Sequence, residues 1–298
     1  MTGSPATGSA RTRPAPTWKG AEPVPPPRPD AAGWARAALR GTALLAVCGG
    51  LFAVLVVLRL VDRPGAIRAR AVRQGCRAGL AVLGLPLAVS GPAPPDGPLA
   101  VVANHASWLD ILALGAAMPV TFVSKAEVRD WPGLGPMVAA AGTLFIRRDA
   151  REARAQSDTT RGRLAAGERL LIFPEGTSSD GRRVLPFRTT LFEALRAAPA
   201  VLPVTVVWHA PPDRAPAFYG WWGDMGFGAH LLAVLSVPRQ GRVEVVRHGA
   251  IALADHPDRK SLARAAEAAV RAGLPPEAEG TPDARGRPLA HPGVVSAG

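Results

Sequence analysis

Within seven residues, the run Asn104-His105-Ala106-Ser107-Trp108-Leu109-Asp110 offers an amide, an imidazole, a hydroxyl and a carboxylate. A histidine and a carboxylate five apart do not share one face of a regular helix, because five residues turn through about 500° and leave them about 140° apart. They meet if His105 lies in a turn and Asp110 in the first turns of the helix that follows. Asp110 then accepts the proton on one imidazole nitrogen and fixes the tautomer, leaving the other nitrogen as a general base. The helix N-terminus tends to keep that imidazole neutral, and the carboxylate opposes it.

A second string, Leu171-Ile172-Phe173-Pro174-Glu175-Gly176-Thr177, reads as a buried strand that ends in proline and then presents a carboxylate, a glycine and a hydroxyl at one turn. Such strand ends are where α/β sheets place ligands. Gly176 lets backbone N–H groups approach an anion, and Thr177 adds a hydroxyl donor. Read alone, the string is equally a plain strand-to-loop turn. Other chemistries lack their signatures. The histidines (His105, His209, His230, His248, His256 and His291) show no metal-ligand spacing, so no metal is expected. There is no phosphate-binding GxxxxGK[ST], and neither Gly133-Leu-Gly135 nor Gly226-Phe-Gly228 has a third glycine at the dinucleotide spacing, so no cofactor is expected. No G-x-S-x-G elbow supports a serine hydrolase.

Four blocks in order resemble the glycerolipid acyltransferases of lysophosphatidic acid acyltransferase type. They are N-H-x-S-x-x-D (Asn104, His105, Ser107, Asp110), G-x-x-F-I-x-R (Gly142, Phe145, Ile146, Arg148), F-P-E-G-T-x-S (Phe173 to Thr177, then Ser179), and the proline within Val201-Leu202-Pro203-Val204. The chain departs from that pattern at Arg147, where an acidic residue is common, and at Ser178, where arginine is common. The resemblance spans about residues 85 to 272. It implies a single layered α/β domain, a mixed sheet flanked by helices, that transfers a fatty acyl group from acyl-CoA or acyl carrier protein to the free hydroxyl of a lysolipid. His105 would deprotonate that hydroxyl, Asp110 would hold the imidazole, and no acyl-enzyme is needed. Backbone N–H groups near Gly176 would stabilise the oxyanion, and Arg148, Glu175 and Thr177 would hold the acceptor's phosphate. Asn104, Ser107, Lys125 and Ser179 join them as implied substrate-binding positions. The first acceptor implied is 1-acylglycerol-3-phosphate, giving phosphatidic acid. Further strings are similar to the branch acting on lyso-ornithine lipid, the alternative acceptor: Phe122-Val-Ser-Lys125-Ala-Glu127-Val, Trp131-Pro-Gly, Ser178-Ser179-Asp180-Gly181 leading to Val184-Leu-Pro-Phe187, and Trp222-Gly223-Asp224-Met225 with His230.

Short strands and helices must position these groups. Strands are predicted over 87–90, 99–103, 120–124, 144–146, 170–173, 202–207 and 243–248, each rich in Val, Leu or Ile and bounded by turn residues. Helices are predicted over 108–117, 150–166, 189–198 and 258–272, the last stopped by Gly273 and Pro275. Their alternation predicts a layered α/β domain over 85–272. The aromatic group Phe218, Tyr219, Trp221, Trp222 and Phe227 reads either as an interfacial patch or as a partly buried corner.

Residues 1–32, rich in proline with no apolar periodicity, are expected to be a disordered tail, and 273–298 a flexible one. Between Arg40 and Arg59 lie 18 uncharged residues, Gly41 to Leu58. A helix of that length reaches about 27 to 30 Å, so 33–62 is expected to be a transmembrane or membrane-embedded helix at the cell membrane. Three arginines lie in residues 21–40 and six in residues 59–78, which favours a cytoplasmic catalytic domain. The basic juxtamembrane segment, 63–84, repeats Arg70, Arg73 and Arg77 at helical spacing, suited to an anionic leaflet or to an ordinary solvated face.

The 298 residues are 48% hydrophobic and 19% charged, enough apolar chain for one sizeable core and too much for a wholly disordered protein. Two cysteines exclude a disulfide scaffold. The formal charge of +12 is uneven, with a surplus of eight in residues 1–99 and four in the rest. That near balance around the chemical strings argues against a nucleic-acid footprint, so a basic nucleic-acid- or membrane-binding protein explains the charge but not His105, Asp110 and the Phe173 to Thr177 string.

Overall fold

The computed structural model of the protein describes residues 18–23, 28–61, 65–131, 133–147 and 153–275. Arg148, most of the expected N-terminal tail and the C-terminal segment from 276 lie outside these residues.

The strand that carries the first string, β2 (Leu99–Ala103), is buried at all five positions, as an unbroken Leu-Ala-Val-Val-Ala run requires of a central strand covered on both faces. It sits within one sheet of eight strands among the described residues: β1 (Leu87–Ser90), β3 (Thr121–Lys125), β4 (Leu144–Ile146), β5 (Arg169–Ile172), β6 (Ala200–His209), β7 (Arg242–Arg247) and β8 (Ile251–Ala252). Their order is β1-β7-β6-β2-β5-β3-β4, with β8 beside β6. Strands β6, β2, β5, β3 and β4 run parallel, whereas β7 is antiparallel to β6 and parallel to β1, so the sheet is mixed. The ends of β2 and β5, which lead into the two chemical strings, are therefore neighbours at one edge of the sheet.

One face of the sheet is covered by α5 (Ala153–Ala165), α6 (Phe192–Leu195) and α8 (Arg259–Ala272), with Leu164, Phe192, Leu195, Leu262 and Val270 in the core between. Asp258 caps α8 by accepting from the backbone N–H groups of Lys260 and Ser261 at 2.7 and 2.8 Å. On the other face α3 (Leu109–Ala117) lays Ala113, Leu114 and Ala117 against the central strands. A second layer on that side holds α1 (Ala31–Leu60), α2 (Gly65–Leu83) and α7 (Phe227–Ser236), with α4 (Leu134–Ala140) beside α1.

Several expected elements shift. Only Phe192–Leu195 of the helix expected over 189–198 is α-helical, after a 3-10 turn at Thr189–Leu191. Two successive threonines at its start and Pro199 beyond its end leave no room for more turns. Helices α4 and α7 and strand β8 were not expected from periodicity, because each is short and nearly all apolar or flanked by glycine. The aromatic group resolves as a corner: Tyr219 and Trp222 are buried, and only Phe227 is strongly exposed.

The N-terminal helices form an antiparallel pair. Gly75 and Gly79 of α2 face Leu51 and Leu44 of α1, and Leu55 is fully buried. Near its start α1 is tied to the end of α7: Arg36 donates to Ser236 O at 2.8 Å, and Arg40 to Leu235 O and Val237 O at 3.0 and 2.6 Å. Two guanidinium groups thus satisfy carbonyls left unpaired where α7 ends. The far half of α1 leaves Phe52, Val54, Val57, Leu60 and Val61 exposed. Residues 18–23, expected within a disordered tail, are docked on the domain by Trp18 and Lys19. An aromatic anchor and the hydrogen bond from Trp222 Nε1 to Ala21 O oppose there the ordering entropy that the surrounding proline-rich composition suggests should win.

Helix α2 reaches the site through α3. A Cβ on Gly115 would lie 2.6 Å from Cys76 Sγ, so glycine permits the close approach of the two helices. Gly115→Val should therefore overpack this seam and cost about 1 to 3 kcal/mol. The check is a lowered thermal midpoint that Cys76→Ala partly restores in the double variant.

Candidate active site

After Ala103 the chain leaves the sheet and turns before entering α3. Asn104 fixes the departure: its Nδ2 donates to Val206 O at 2.9 Å, and its Oδ1 accepts from Val206 N at 2.7 Å. Ser107 shapes the other end of the turn, its Oγ accepting from Leu109 N at 3.3 Å where α3 lacks partners for its first N–H groups. Between them, His105 and Asp110 meet as their spacing predicted. His105 Nδ1 lies 2.8 Å from Asp110 Oδ2, with the His105 side chain 22% exposed and that of Asp110 fully buried.

Asp110 is saturated by donors. Oδ2 also accepts from Ala106 N at 2.7 Å and Ser107 N at 2.8 Å, while Oδ1 accepts from Trp208 Nε1 at 2.7 Å. These bonds use both carboxylate oxygens as acceptors and make Nδ1 of His105 the protonated nitrogen. Phe173 stacks on the imidazole with centroids 4.1 Å apart and planes 17° from parallel. The ring is thus clamped at its edge and face, and Nε2 is left as the basic atom.

Trp208 was missed by sequence reasoning. Alternation along β6 puts it on the same face as Val206, the residue that Asn104 grips. Using that signal required the β2 to β6 register, Ala103 opposite Val204.

The second string closes over the first. Glu175 is buried and turned inward, Oε1 accepting from His105 N at 2.8 Å and Oε2 from Leu185 N at 3.0 Å. Burial pushes its carboxyl well above the usual carboxylate range, and the two N–H donors only partly oppose this. Ser179 N donates to His105 O at 2.9 Å. Gly176 takes φ +70°, and its N–H closes the turn on Phe173 O at 3.1 Å. Asn104, Ser107, Glu175 and Ser179, expected to bind substrate, therefore direct their polar atoms to the protein's own backbone. The reason is local: a turn with buried N–H groups on both sides must satisfy them, and these side chains are the nearest acceptors. Thr177 is half-buried, with Oγ1 accepting from Trp18 N at 3.4 Å. Lys125 ends β3, opposite Ile146 of β4 and two strands out from β2.

Behind the turn, Trp108 Nε1 donates to His230 Nδ1 at 3.0 Å, and His230 Nε2 lies 3.2 Å from Phe218 O. Burial pushes the pKa of His230 down to about 4, so it stays neutral at physiological pH. Trp221 N donates to Ala106 O at 2.8 Å, tying the aromatic corner to the catalytic turn. The arrangement presents one oriented base at a sheet edge, suited to removing a proton from a hydroxyl. Among the described residues no cluster of three or more His, Cys, Asp or Glu side chains could hold a metal ion.

Residues 87–207 match the protein-family model described as Acyltransferase, which takes in the His105 turn, Phe173 to Ser179 and most of β6. A lyso-ornithine lipid O-acyltransferase of Rhodobacter capsulatus is 48% identical over 269 residues, covering 87% of this chain and 97% of that protein. A 1-acyl-sn-glycerol-3-phosphate acyltransferase of Neisseria meningitidis is 38% identical over 180 residues, 58% of this chain and 68% of the relative. The crystal structure of the 1-acyl-sn-glycerophosphate acyltransferase PlsC from Thermotoga maritima shares the fold, with a TM-score of 0.59 over 81% of this chain and 96% of that one, at 19% identity. With its sheet, its oriented histidine and a 48% identical relative matched over 97% of its length, this chain belongs to the acyltransferase family and is an acyltransferase.

Proposed function

We propose that the protein is a membrane-bound O-acyltransferase that moves a fatty acyl group from acyl-CoA or acyl carrier protein to the free hydroxyl of lyso-ornithine lipid. The observation that carries the reaction is the His105–Asp110 pair, held by the donors on Asp110 and stacked on Phe173. The relative from Rhodobacter capsulatus, matched across 97% of its length, supports the ornithine acceptor over the phosphate acceptor that the motifs first suggest.

In this reaction His105 Nε2 takes the hydroxyl proton as the oxygen attacks the thioester carbonyl. The tetrahedral intermediate collapses with loss of the thiolate, which receives the proton from the imidazolium. Asp110 stabilises that imidazolium, and Trp208 keeps the carboxylate in register. Asn104, Ser107, Glu175 and Ser179 serve as positioning residues. Thr177, Lys125 and Arg148 are assigned to substrate on the family resemblance alone.

Helix α1 supports a membrane attachment of particular geometry. A helix that spanned the bilayer would place residues 18–23 across the membrane from the catalytic domain, yet Trp18 touches Thr177 and Lys19 pairs with Asp224. The pair α1 and α2 therefore enters one leaflet from the cytoplasmic side and returns, with the exposed apolar half of α1 in the hydrocarbon.

His105→Ala should lose about 10²- to 10⁴-fold in kcat. Asp110→Asn should lose nearly as much, and the double variant should be little worse than His105→Ala alone. Trp208→Phe keeps the ring and removes one donor, so it should lower kcat by about tenfold and leave the acceptor KM unchanged. The assay is acyl transfer to lyso-ornithine lipid and lysophosphatidic acid in parallel, and faster transfer to the latter would overturn the acceptor assignment. Carbonate-washed membranes should retain the protein. Cysteines placed at Glu22 and at Glu193 should react with an impermeant maleimide from the same side of the membrane, whereas a spanning α1 would separate them.

A further inference from the structure

The docked segment 18–23 adds a wall to the site. Trp18 packs against Trp222 with ring centroids 6.2 Å apart, and the Arg183 guanidinium lies 5.0 Å from the centroid of the Trp18 ring. Arg183 is itself held by Asp180 at 2.9 Å in a buried ion pair, so this support is rigid. Trp222 Nε1 donates to Ala21 O at 3.0 Å, and Lys19 Nζ meets Asp224 Oδ2 at 3.1 Å. Between the segment and the turn that leads into α7 lies a cavity of about 530 Å³, lined by Trp18, Lys19, Glu22, Asp224 and His230 among others. Two of its lining residues reach the chemical strings, Trp18 through Thr177 and His230 through Trp108.

The charges of this cavity are one ammonium and two carboxylates, and its histidine is neutral. A phosphomonoester would bring a dianion beside Glu22 and Asp224, with Lys19 as the lining cation to meet it. An ornithine head group brings the opposite pattern, one carboxylate and one free ammonium. The carboxylate matches Lys19 and the ammonium matches Glu22 and Asp224. The Lys19–Asp224 pair is solvent-exposed, with side chains 69% and 83% accessible, so it contributes little stability and opens readily to a ligand that offers each partner a replacement. The head group's charges stand several bonds from the reacting hydroxyl. A site for them therefore lies within a head group's length of that hydroxyl, and this cavity is joined to Thr177 by Trp18 and to Trp108 by His230.

We infer that the segment 18–23 and the turn 223–230 together form a head-group site that selects acceptors carrying a free ammonium next to a carboxylate, with Glu22 and Asp224 as the ammonium's partners. This rests on the lyso-ornithine reading and deepens it. The segment before α1 thereby becomes part of the enzyme's specificity.

The test uses the full-length protein in mixed micelles with lyso-ornithine lipid, with the same lipid acetylated on its free amine, and with lysophosphatidic acid. In the unaltered protein, acetylation should raise the acceptor KM at least about tenfold with kcat nearly unchanged, as loss of a charge-assisted contact predicts. The double variant Glu22→Gln, Asp224→Asn replaces exposed side chains by isosteres. It should show the raised KM with the free amine and no further penalty from acetylation. If the unaltered protein prefers lysophosphatidic acid, the acceptor reading fails and this inference with it. If lyso-ornithine lipid is preferred but acetylation or the double variant leaves its KM unchanged, the acceptor reading stands and the head-group site is overturned.

Discussion

A buried carboxylate with no cation beside it must be repaid in hydrogen bonds, and the structure around Asp110 is arranged to supply them. Its two oxygens accept from His105, Ala106, Ser107 and Trp208, which come from the catalytic turn and from β6. To bring those donors together, the chain must leave β2 at Asn104, turn within four residues and start α3 at Leu109. Glu175 then locks the turn from the β5 side through His105 N. Removing any one of these elements would leave charge or N–H groups buried without partners. That is why a base left partly open to substrate needs a central, fully covered strand behind it.

Much of this was legible in the sequence. The strands over 87–90, 99–103 and 144–146 are found at those residues because each is a short apolar run bounded by turn formers. The meeting of His105 and Asp110 followed once His105 was placed in a turn ahead of the helix that carries Asp110. What could not be read was long-range register. Trp208 and Val206 lie about a hundred positions from their partners Asp110 and Asn104, and only the pairing of β2 with β6 brings them together. Glu175 shows a subtler failure. A carboxylate after a strand end looks like a ligand group from its neighbours in sequence, but its use is decided by two backbone N–H groups, at His105 and Leu185, that no local pattern announces.

The N-terminal region illustrates the same limit in another form. Hydropathy finds an apolar helix of spanning length, but it does not reveal that Arg36 and Arg40 bind the end of α7 or that α2 doubles back along α1. Length licenses a span, and the contacts favour the one-leaflet attachment proposed above. The proline-rich composition before α1 likewise hides Trp18, one aromatic residue whose packing on Trp222 and Arg183 is enough to order a short piece of chain.

The saturation of Asp110 also bears on where the proton goes. A carboxylate already accepting four hydrogen bonds cannot pass a proton onward, so the imidazolium has no exit through the protein behind it. In the proposed reaction the proton taken from the hydroxyl returns forward, to the departing sulfur, so the cycle consumes no proton from bulk solvent, and the packing behind His105 has only to hold the ring in place.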